Sequence, residues 1–470
     1  MTEAEPPSGA TSPTGAQSSG GVGTPARGER DPGAGGAVDQ TSAAPRWAVT
    51  PPVLFGAGAA VLLAALGLVT THAEFALLAL PLFVAVALGA DARPRRGAAV
   101  TVRTFLRPDA DSSGVAYRIG FDLPEGAESV AVLLEAADDT THRFAVDRDT
   151  AARLIGTIPV AHSGPQEIVR MHYSVLGARG TAVSSPEPGP VSSRVVPPPR
   201  LRMENLPLPL RVVGITGAHG SATPGDGGEF RDVALFTPGD RLRRIDWKAT
   251  ARRATLEGEL YVRRTFSTAD AIVMLVIDDR DDVGADITRW SGARGTVATA
   301  TSLDLAREAA FSLAAAYLAA GDRVGLRDLA GTARAVEPGG GTRHLERLQK
   351  TIATAAPTGE PVRSVRTPLV PASSLVVVLS TFLDEQAATM AITWASTGHR
   401  VLAVDVLPAA DISRTTREER TAHQLLMLER TYRLDSMAAS GVELVRWGEQ
   451  PGVPVPAVQL RMLSRPRRMR

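Results

Sequence analysis

The chain of 470 residues contains no cysteine. This removes disulfides, thiolate metal sites and cysteine nucleophiles, and it fits a reducing compartment. Lysine is nearly absent too: of 51 basic residues only Lys248 and Lys350 are lysines. Net charge is +1, so no global basic field argues for nucleic acid, and charge informs only through its placement. No Ser-His-Asp order, histidine metal spacing or nucleotide-binding glycine fingerprint is present, and the Gly-rich stretch 216–228 lacks the GK[ST] ending of a P-loop. An enzyme is therefore disfavoured. The excess of Ala, Gly, Pro and Arg looks like the coding bias of a GC-rich bacterial genome.

Residues 1–46 are Gly, Pro, Ser, Thr and Ala with scattered charges. Such a segment cannot offset its ordering entropy and is expected to be a disordered tail. Two charge-free apolar runs follow, Val53–Val69 and Phe75–Ala90, separated by Thr70-Thr71-His72-Ala73-Glu74. Their lengths sit at the short end of what spans a bilayer. They predict a transmembrane helical hairpin within 47–97, with Gly56, Gly58, Ala60 and Ala64 allowing close approach. The alternatives are a buried hairpin of a soluble domain and, less favoured, a cleaved signal peptide. Arg46 precedes the hairpin, and Arg93, Arg95, Arg96 and Arg103 follow it. The positive-inside rule then gives a two-helix protein of the cell membrane with both termini and the main domains cytoplasmic.

Short alternating segments separated by Gly, Pro, Asp and Ser predict a small β-sandwich over 98–196. Residues 197–268 read as a proline-stiffened linker followed by a basic motif. From 269 to 450, apolar runs such as Ala271–Ile277 and Leu375–Leu379 alternate with helical patterns. Continuous apolar strands alternating with helices predict a doubly wound parallel sheet. Residues 451–470 read as a basic tail. The expected fold class is thus multidomain: hairpin, β-sandwich, then α/β sheet.

Two places carry chemistry. The first is Gly239–Arg253, GDRLRRIDWKATARR, in which six residues are basic and two acidic. Pro238-Gly239 signals a turn, and Asp240 stands where a helix N-cap would. Leu242, Ile245 and Ala249 fall at helical spacing for a buried face. Gly239, Asp240, Arg243, Arg244, Asp246, Trp247, Lys248, Arg252 and Arg253 form the candidate partner-binding motif. In one reading the arginines meet an acidic partner surface with Trp247 as anchor. In the other the block is an internal clamp with Trp247 in the core. The second place is Asp278-Asp279-Arg280-Asp281-Asp282, carboxylates at the end of a strand where a hard cation such as Mg²⁺ could bind.

That second place resembles the metal-ion-dependent adhesion site of von Willebrand factor A domains. There an Asp-x-Ser-x-Ser run, a Thr and an Asp from three loops share one Mg²⁺. The resemblance implies Asp278, Asp282, Thr342, Ser380 and Asp384 as metal-site residues. Arg280 replaces the first serine, however, and Asp384 is displaced from the family position. A cationless cluster paired with arginines is the favoured alternative. The stretch Glu229–Arg264 resembles domain of unknown function fifty-eight, a family of membrane-tethered bacterial proteins commonly encoded beside MoxR-type AAA+ ATPases. The resemblance implies a non-enzymatic, membrane-anchored adaptor partnering such an ATPase in cell-envelope or chaperone-like processes, with no nucleic-acid partner. The alternatives are a Mg-dependent enzyme and an anionic-lipid-binding membrane protein.

Overall fold

Strand β1 (Ala37–Ala43) and strand β2 (Trp47–Val49) precede helices α1 (Pro51–Thr70) and α2 (Ala73–Asp91). The computed structural model describes residues 37–91, 95, 97–108, 114–138, 140–212, 217, 219–290, 299–329, 335–357, 367–448 and 452–465. The expectation of a disordered tail over 1–36 and the terminal arginines past 465 lie outside them. The tail does not run to 46, because β1 pairs antiparallel with a strand beyond the hairpin. Its small and β-branched residues offered little hydrophobic signal, and its pairing partner supplies the order.

Strand β3 (Val100–Pro108), β4 (Gly114–Asp122), β5 (Ala127–Ala136), β6 (Thr141–Asp147), the turn-length helix α3 (Arg148–Ala151), β7 (Leu154–Pro159), β8 (Gly164–Gly177), β9 (Ala182–Ser184), β10 (Glu187–Pro188) and β11 (Ser192–Val196) follow. They form two sheets, ordered β1-β3-β4-β7 and β2-β9-β8-β5-β6, with β10 and β11 also on β8. Alternate residues of both sheets, such as Val100, Val102, Ile119, Val130, Val132, Met171 and Tyr173, meet in one core. This β domain is therefore interrupted by the hairpin: β1 and β2 reach it from before α1, so it extends beyond the 98–196 read from sequence.

Within the hairpin, Ala60 and Ala79 are buried between the helices. A Cβ on Gly67 would come within 3.0 Å of Ala76 N. Gly56 and Gly58 have no neighbour within 4 Å, so close approach depends on Ala60 and Gly67 instead. Leu54, Phe55, Leu62, Leu68, Leu77 and Phe83 are exposed. Among the described residues one helix, Pro51–Thr70, is long and apolar enough to cross a membrane; the apolar part of α2, Ala73–Gly89, is shorter, and the helix contains Pro81.

Residues 201–208, with a bend at Asn205, lie against the α/β domain. Leu201 N donates to Ser312 Oγ at 2.9 Å, Tyr317 Oη donates to Pro207 O at 2.7 Å, and Arg400 Nη1 donates to Leu208 O at 2.7 Å. Next come β12 (His219–Leu235), α4 (Trp247–Arg253) and β13 (Tyr261–Ala269), in which β12 and β13 make a two-stranded antiparallel ribbon. The Gly-rich stretch enters β12 at His219, and its pairing with β13 is interrupted between Gly220 and Pro224 and between Gly225 and Phe230.

The last domain contains β14 (Ile272–Ile277), α5 (Ser302–Ala319), β15 (Arg323–Asp328), β16 (Val336–Gly339), α6 (Thr342–Ala353), β17 (Leu375–Ser380), α7 (Glu385–Ser396), β18 (Arg400–Asp405), α8 (Arg417–Ala439), β19 (Glu443–Arg446) and α9 (Pro456–Leu463). The sheet order is β16-β15-β14-β17-β18-β19, parallel except for edge strand β16. Val273, Leu275, Ile277, Val377 and Leu402 pack on α5, α6 and α9, while Val276, Val376, Val378, Val401 and Ala403 pack on α7 and α8. Burial on both faces is why these strands carry no polar alternation. Helix α9 corrects the expectation of a plain basic tail, since Leu460 is fully buried in that core.

The β domain docks onto the first turn of α5. Thr301 and Asp304 form a capping box there. Asp304 also accepts from His162 Nδ1 at 2.6 Å, Ser163 N at 2.8 Å and Ser163 Oγ at 3.0 Å. Arg307, one turn on, donates to Ser163 O at 2.8 Å and to Ala355 O at 2.7 Å. Burial pushes the Asp304 carboxyl up, but the bonds from His162, Thr301 N and Ser163 N outweigh it and hold the group below its ordinary 3.8. Its contribution to stability is therefore complete above that value and is lost as pH falls through the lower folded one. Asp304→Ala should destabilise the chain by about 3 kcal/mol, because it removes the counter-ion 3.2 Å from buried Arg307 and leaves the Ser163 amide without its acceptor. Thermal unfolding at neutral pH checks this, and the gap between wild type and variant should shrink on acidification below the ordinary carboxylate range.

Candidate functional site

The basic motif occupies the tip of the β12–β13 ribbon. Gly239 has φ of +109°, which a side chain would disfavour, and it lets the chain reverse after Pro238. Asp240 closes this turn: Oδ2 accepts from Thr237 N, Thr237 Oγ1 and Arg264 Nη2, each at 2.9 Å. The Arg264 bond, with Thr237 N behind it, pulls the Asp240 carboxyl down to about 2. Asp240 is thus not the helix cap that the sequence suggested. A single 3₁₀ turn, Leu242–Arg244, follows, and α4 is capped by Asp246, whose Oδ1 accepts from Ala249 N at 2.8 Å. Asp246 N donates to Tyr261 O at 2.8 Å, and Tyr261 N donates to Thr250 Oγ1 at 2.9 Å, so α4 is stitched to β13. Arg244 Nη1 crosses the ribbon to Gly225 O at 3.1 Å and Thr265 Oγ1 at 2.8 Å.

The motif therefore divides by role. Gly239, Asp240, Arg244 and Asp246 build the tip, while Arg243, Trp247, Lys248, Arg252 and Arg253 are exposed on it. Trp247 is 68% exposed and Leu242 70%, so neither belongs to a core. The predicted buried face of Leu242, Ile245 and Ala249 fails at Leu242, because the chain changes direction between the 3₁₀ turn and α4. Arg243, Lys248, Arg252 and Arg253 form no ion pair with any described residue. The tip therefore exposes two large apolar side chains and four cations within one short stretch of chain. Arg264, which fastens Asp240, was not singled out in the sequence; its place beside Arg263 in a strand-like alternation was the only signal.

The acidic site lies between β14 and β17, the two central strands, whose connections leave toward opposite faces of the sheet. Ligands of open α/β sheets bind at such a switch point. Asp278 follows β14, Ser380 ends β17, and Asp384 caps α7 by accepting from Gln386 N at 3.1 Å. Arg280 fills the space between them. Its Nε donates to Asp278 Oδ1 at 2.7 Å and Nη2 to Asp278 Oδ2 at 2.8 Å. Nη1 reaches Asp384 Oδ2 at 2.5 Å and Gln386 Oε1 at 2.6 Å, and Nη2 reaches Asp384 Oδ1 at 3.0 Å. Ser380 Oγ donates to Asp278 Oδ2 at 2.6 Å and accepts from Phe382 N at 3.0 Å. Burial would lower the Arg280 pKa, but Asp278 and Asp384 outweigh it and raise the group above its ordinary range.

These residues do not fit a bound divalent cation. All four oxygens of Asp278 and Asp384 are engaged by one guanidinium, which is itself a fixed cation. Of the five residues implied for metal, the site gathers Asp278, Ser380 and Asp384. Asp282 instead accepts from Leu303 N at 3.1 Å, and Thr342 is an exposed residue starting α6. Among the described residues no group of three or more His, Asp or Glu could hold a metal. Gln386, part of the Arg280 shell, was missed because nothing in its sequence context marks it. Arg280→Ala should cost about 3 kcal/mol in thermal unfolding, since two carboxylates are left facing one another without their cation. Asp384→Asn should cost less, because Asp384 is 43% exposed.

Residues 232–414 match the family model described as "Protein of unknown function DUF58", which takes in the ribbon tip, the switch-point cluster and the sheet through β18. Uncharacterized proteins of Mycobacterium bovis and of Mycobacterium tuberculosis are similar to this chain at 28% identity over 221 residues. The alignment covers 45% of this chain and 65% of each relative, so it spans just under two thirds of their length. No solved structure matches the chain.

Proposed function

We propose that this protein is a membrane-anchored adaptor that faces the cytoplasm and presents its ribbon tip to a MoxR-type AAA+ ATPase, in cell-envelope or chaperone-like processes. The observation that carries the reading is the exposed tip, where Leu242, Arg243, Trp247, Lys248, Arg252 and Arg253 all face solvent within twelve residues of chain. An aromatic anchor within a polar, cationic rim suits an acidic protein surface, because burial of the indole gives affinity and the charges steer approach. The tip hangs on two strands that pair with no third strand among the described residues, so it can reach a partner clear of the sheet.

The hairpin supplies the anchor in this reading. Its two helices expose apolar side chains on their outer surfaces, and both would insert together, with Arg46 and Arg95 remaining at the cytoplasmic side. The sheet is then a von Willebrand A-like domain whose central cation is the guanidinium of Arg280. The alternative of a Mg-dependent enzyme is weakened by that arginine, which engages the carboxylates such a site would use.

Co-purification of the full chain with the MoxR-type ATPase of the same cell tests the reading. Trp247→Ala should weaken binding by about 2 kcal/mol, roughly 30-fold. Thermal unfolding should change by less than about 0.5 kcal/mol, as for other exposed positions. Asp240→Ala should instead lower the unfolding temperature by loosening the turn. Failure of the wild-type chain to bind such an ATPase, or equal binding by the Trp247 variant, would overturn the proposal.

A further inference from the structure

Both roots of the α1–α2 hairpin are fastened to the same turn of the β domain. At the entry, Thr50 N donates to Thr181 O at 3.2 Å and Thr50 Oγ1 donates to Gly180 O at 2.7 Å. At the exit, Thr181 Oγ1 donates to Gly89 O at 3.1 Å. A Cβ on Gly89 would collide with the Thr181 methyl, so the helix end and the turn are in direct contact. Just upstream, Ser185 N donates to Arg46 O at 2.7 Å, and Trp47 is paired with Ser184. Wherever the two helices enter a bilayer, residues 178–181 must lie at the same level.

That turn contains a backbone oddity. Arg179 has φ of +58°, in the left-handed region, and Gly180 beside it has φ of +66°. A residue with a Cβ is disfavoured there, and glycine would be at ease. Position 179 nonetheless carries a long cationic side chain, which is exposed and forms no ion pair with any described residue. Its backbone N donates to Glu128 Oε2 at 2.7 Å, which ties the turn to the start of β5. Such an outlier points toward a use for the side chain rather than for the backbone. Arg46 and Arg95 are also exposed, four residues before Thr50 and six after Gly89.

We infer that Arg179, Arg46 and Arg95 form a contact surface for anionic phospholipid headgroups, with the 178–181 turn seated at the bilayer surface beside the hairpin roots. This rests on the membrane reading given above. Headgroup phosphates of the inner leaflet supply the counter-charge that no described side chain supplies to Arg179. Basic residues at that depth gain from the anionic surface, each by about fivefold in affinity. The clamp at Thr181 fixes their depth, so the interaction would orient the β domain on the membrane as well as strengthen the anchorage.

The test uses the full chain and two variants, Arg179→Asn and Arg179→Gln. Asparagine tolerates the left-handed conformation, so that variant removes charge while keeping the turn; glutamine keeps the length and the strain. Binding of tail-labelled phosphatidylglycerol and phosphatidylcholine to the detergent-solubilised protein is compared, alongside thermal unfolding and carbonate washing of membranes. The expected result is a wild-type preference for phosphatidylglycerol that falls about fivefold in both variants, with the unfolding temperature of Arg179→Asn undiminished. Equal binding of the two lipids by wild type, or an unchanged preference in the variants, would overturn the inference while leaving a carbonate-resistant chain and its membrane reading standing. Release of the wild-type chain by carbonate would remove the membrane reading itself, and this inference with it.

Discussion

The first turn of α5 is where the fold is held together. Asp304 there caps its own helix through Thr301 and receives His162 and Ser163 from the β domain, so one carboxylate serves helix initiation and domain docking at once. Arg307 one turn later ties the same β-domain loop to the end of α6 through Ala355. Because both charged groups are buried, neither can be relieved by water if the other moves. The linker along α5 then follows from this arrangement: Ser312 and Tyr317, further along the helix, each take a backbone partner from it. The helix acts as a spine to which the preceding domain and the connector are both attached.

At the opposite extreme of design stands Arg280. A cation carried by the chain needs no supply from solution and has one geometry, a planar fork that takes two carboxylates bidentately. A metal at this position would make the loops after β14 and β17 responsive to ion concentration. The guanidinium makes them constitutively joined. The switch point of the sheet, where ligands ordinarily enter, is thereby spent on cohesion.

Much of the architecture was legible because burial leaves a pattern. Leu375–Leu379 is apolar throughout because both of its faces are covered, and Leu303 to Ala320 is apolar over a helical length because most of its circumference is buried. Arg280 in place of a serine was visible in the sequence as a reason to doubt a metal, and its geometry gives that substitution a physical content. What stayed hidden were properties of pairing. Nothing in Ala37–Ala43 announces a strand, since its partner lies beyond the hairpin. The same holds for the glycine-rich part of β12, which β13 orders. At the tip, the sequence could not separate Asp240 and Arg244, which fold the turn, from Arg243 and Lys248, which face outward, because all are charged residues in one short block. Trp247 was ambiguous for the same reason: an indole at helical spacing fits a core or an interface equally well, and its exposure removes the core.

The insertion of the hairpin within the β domain has a consequence for biosynthesis. The chain must make β1 and β2, then both apolar helices, and only afterwards the strands that receive them; Arg46 and its partner Ser185 are 139 positions apart. Until translation has passed that point, the early strands have no edge to join. Closure of the domain thus requires the two ends of the apolar segment to come back to one place. In the proposed membrane reading, a chain whose second helix failed to return would leave β3 and everything after it across the bilayer from β1 and β2, and the mismatch would register as an unclosed sheet rather than as a misplaced but folded protein.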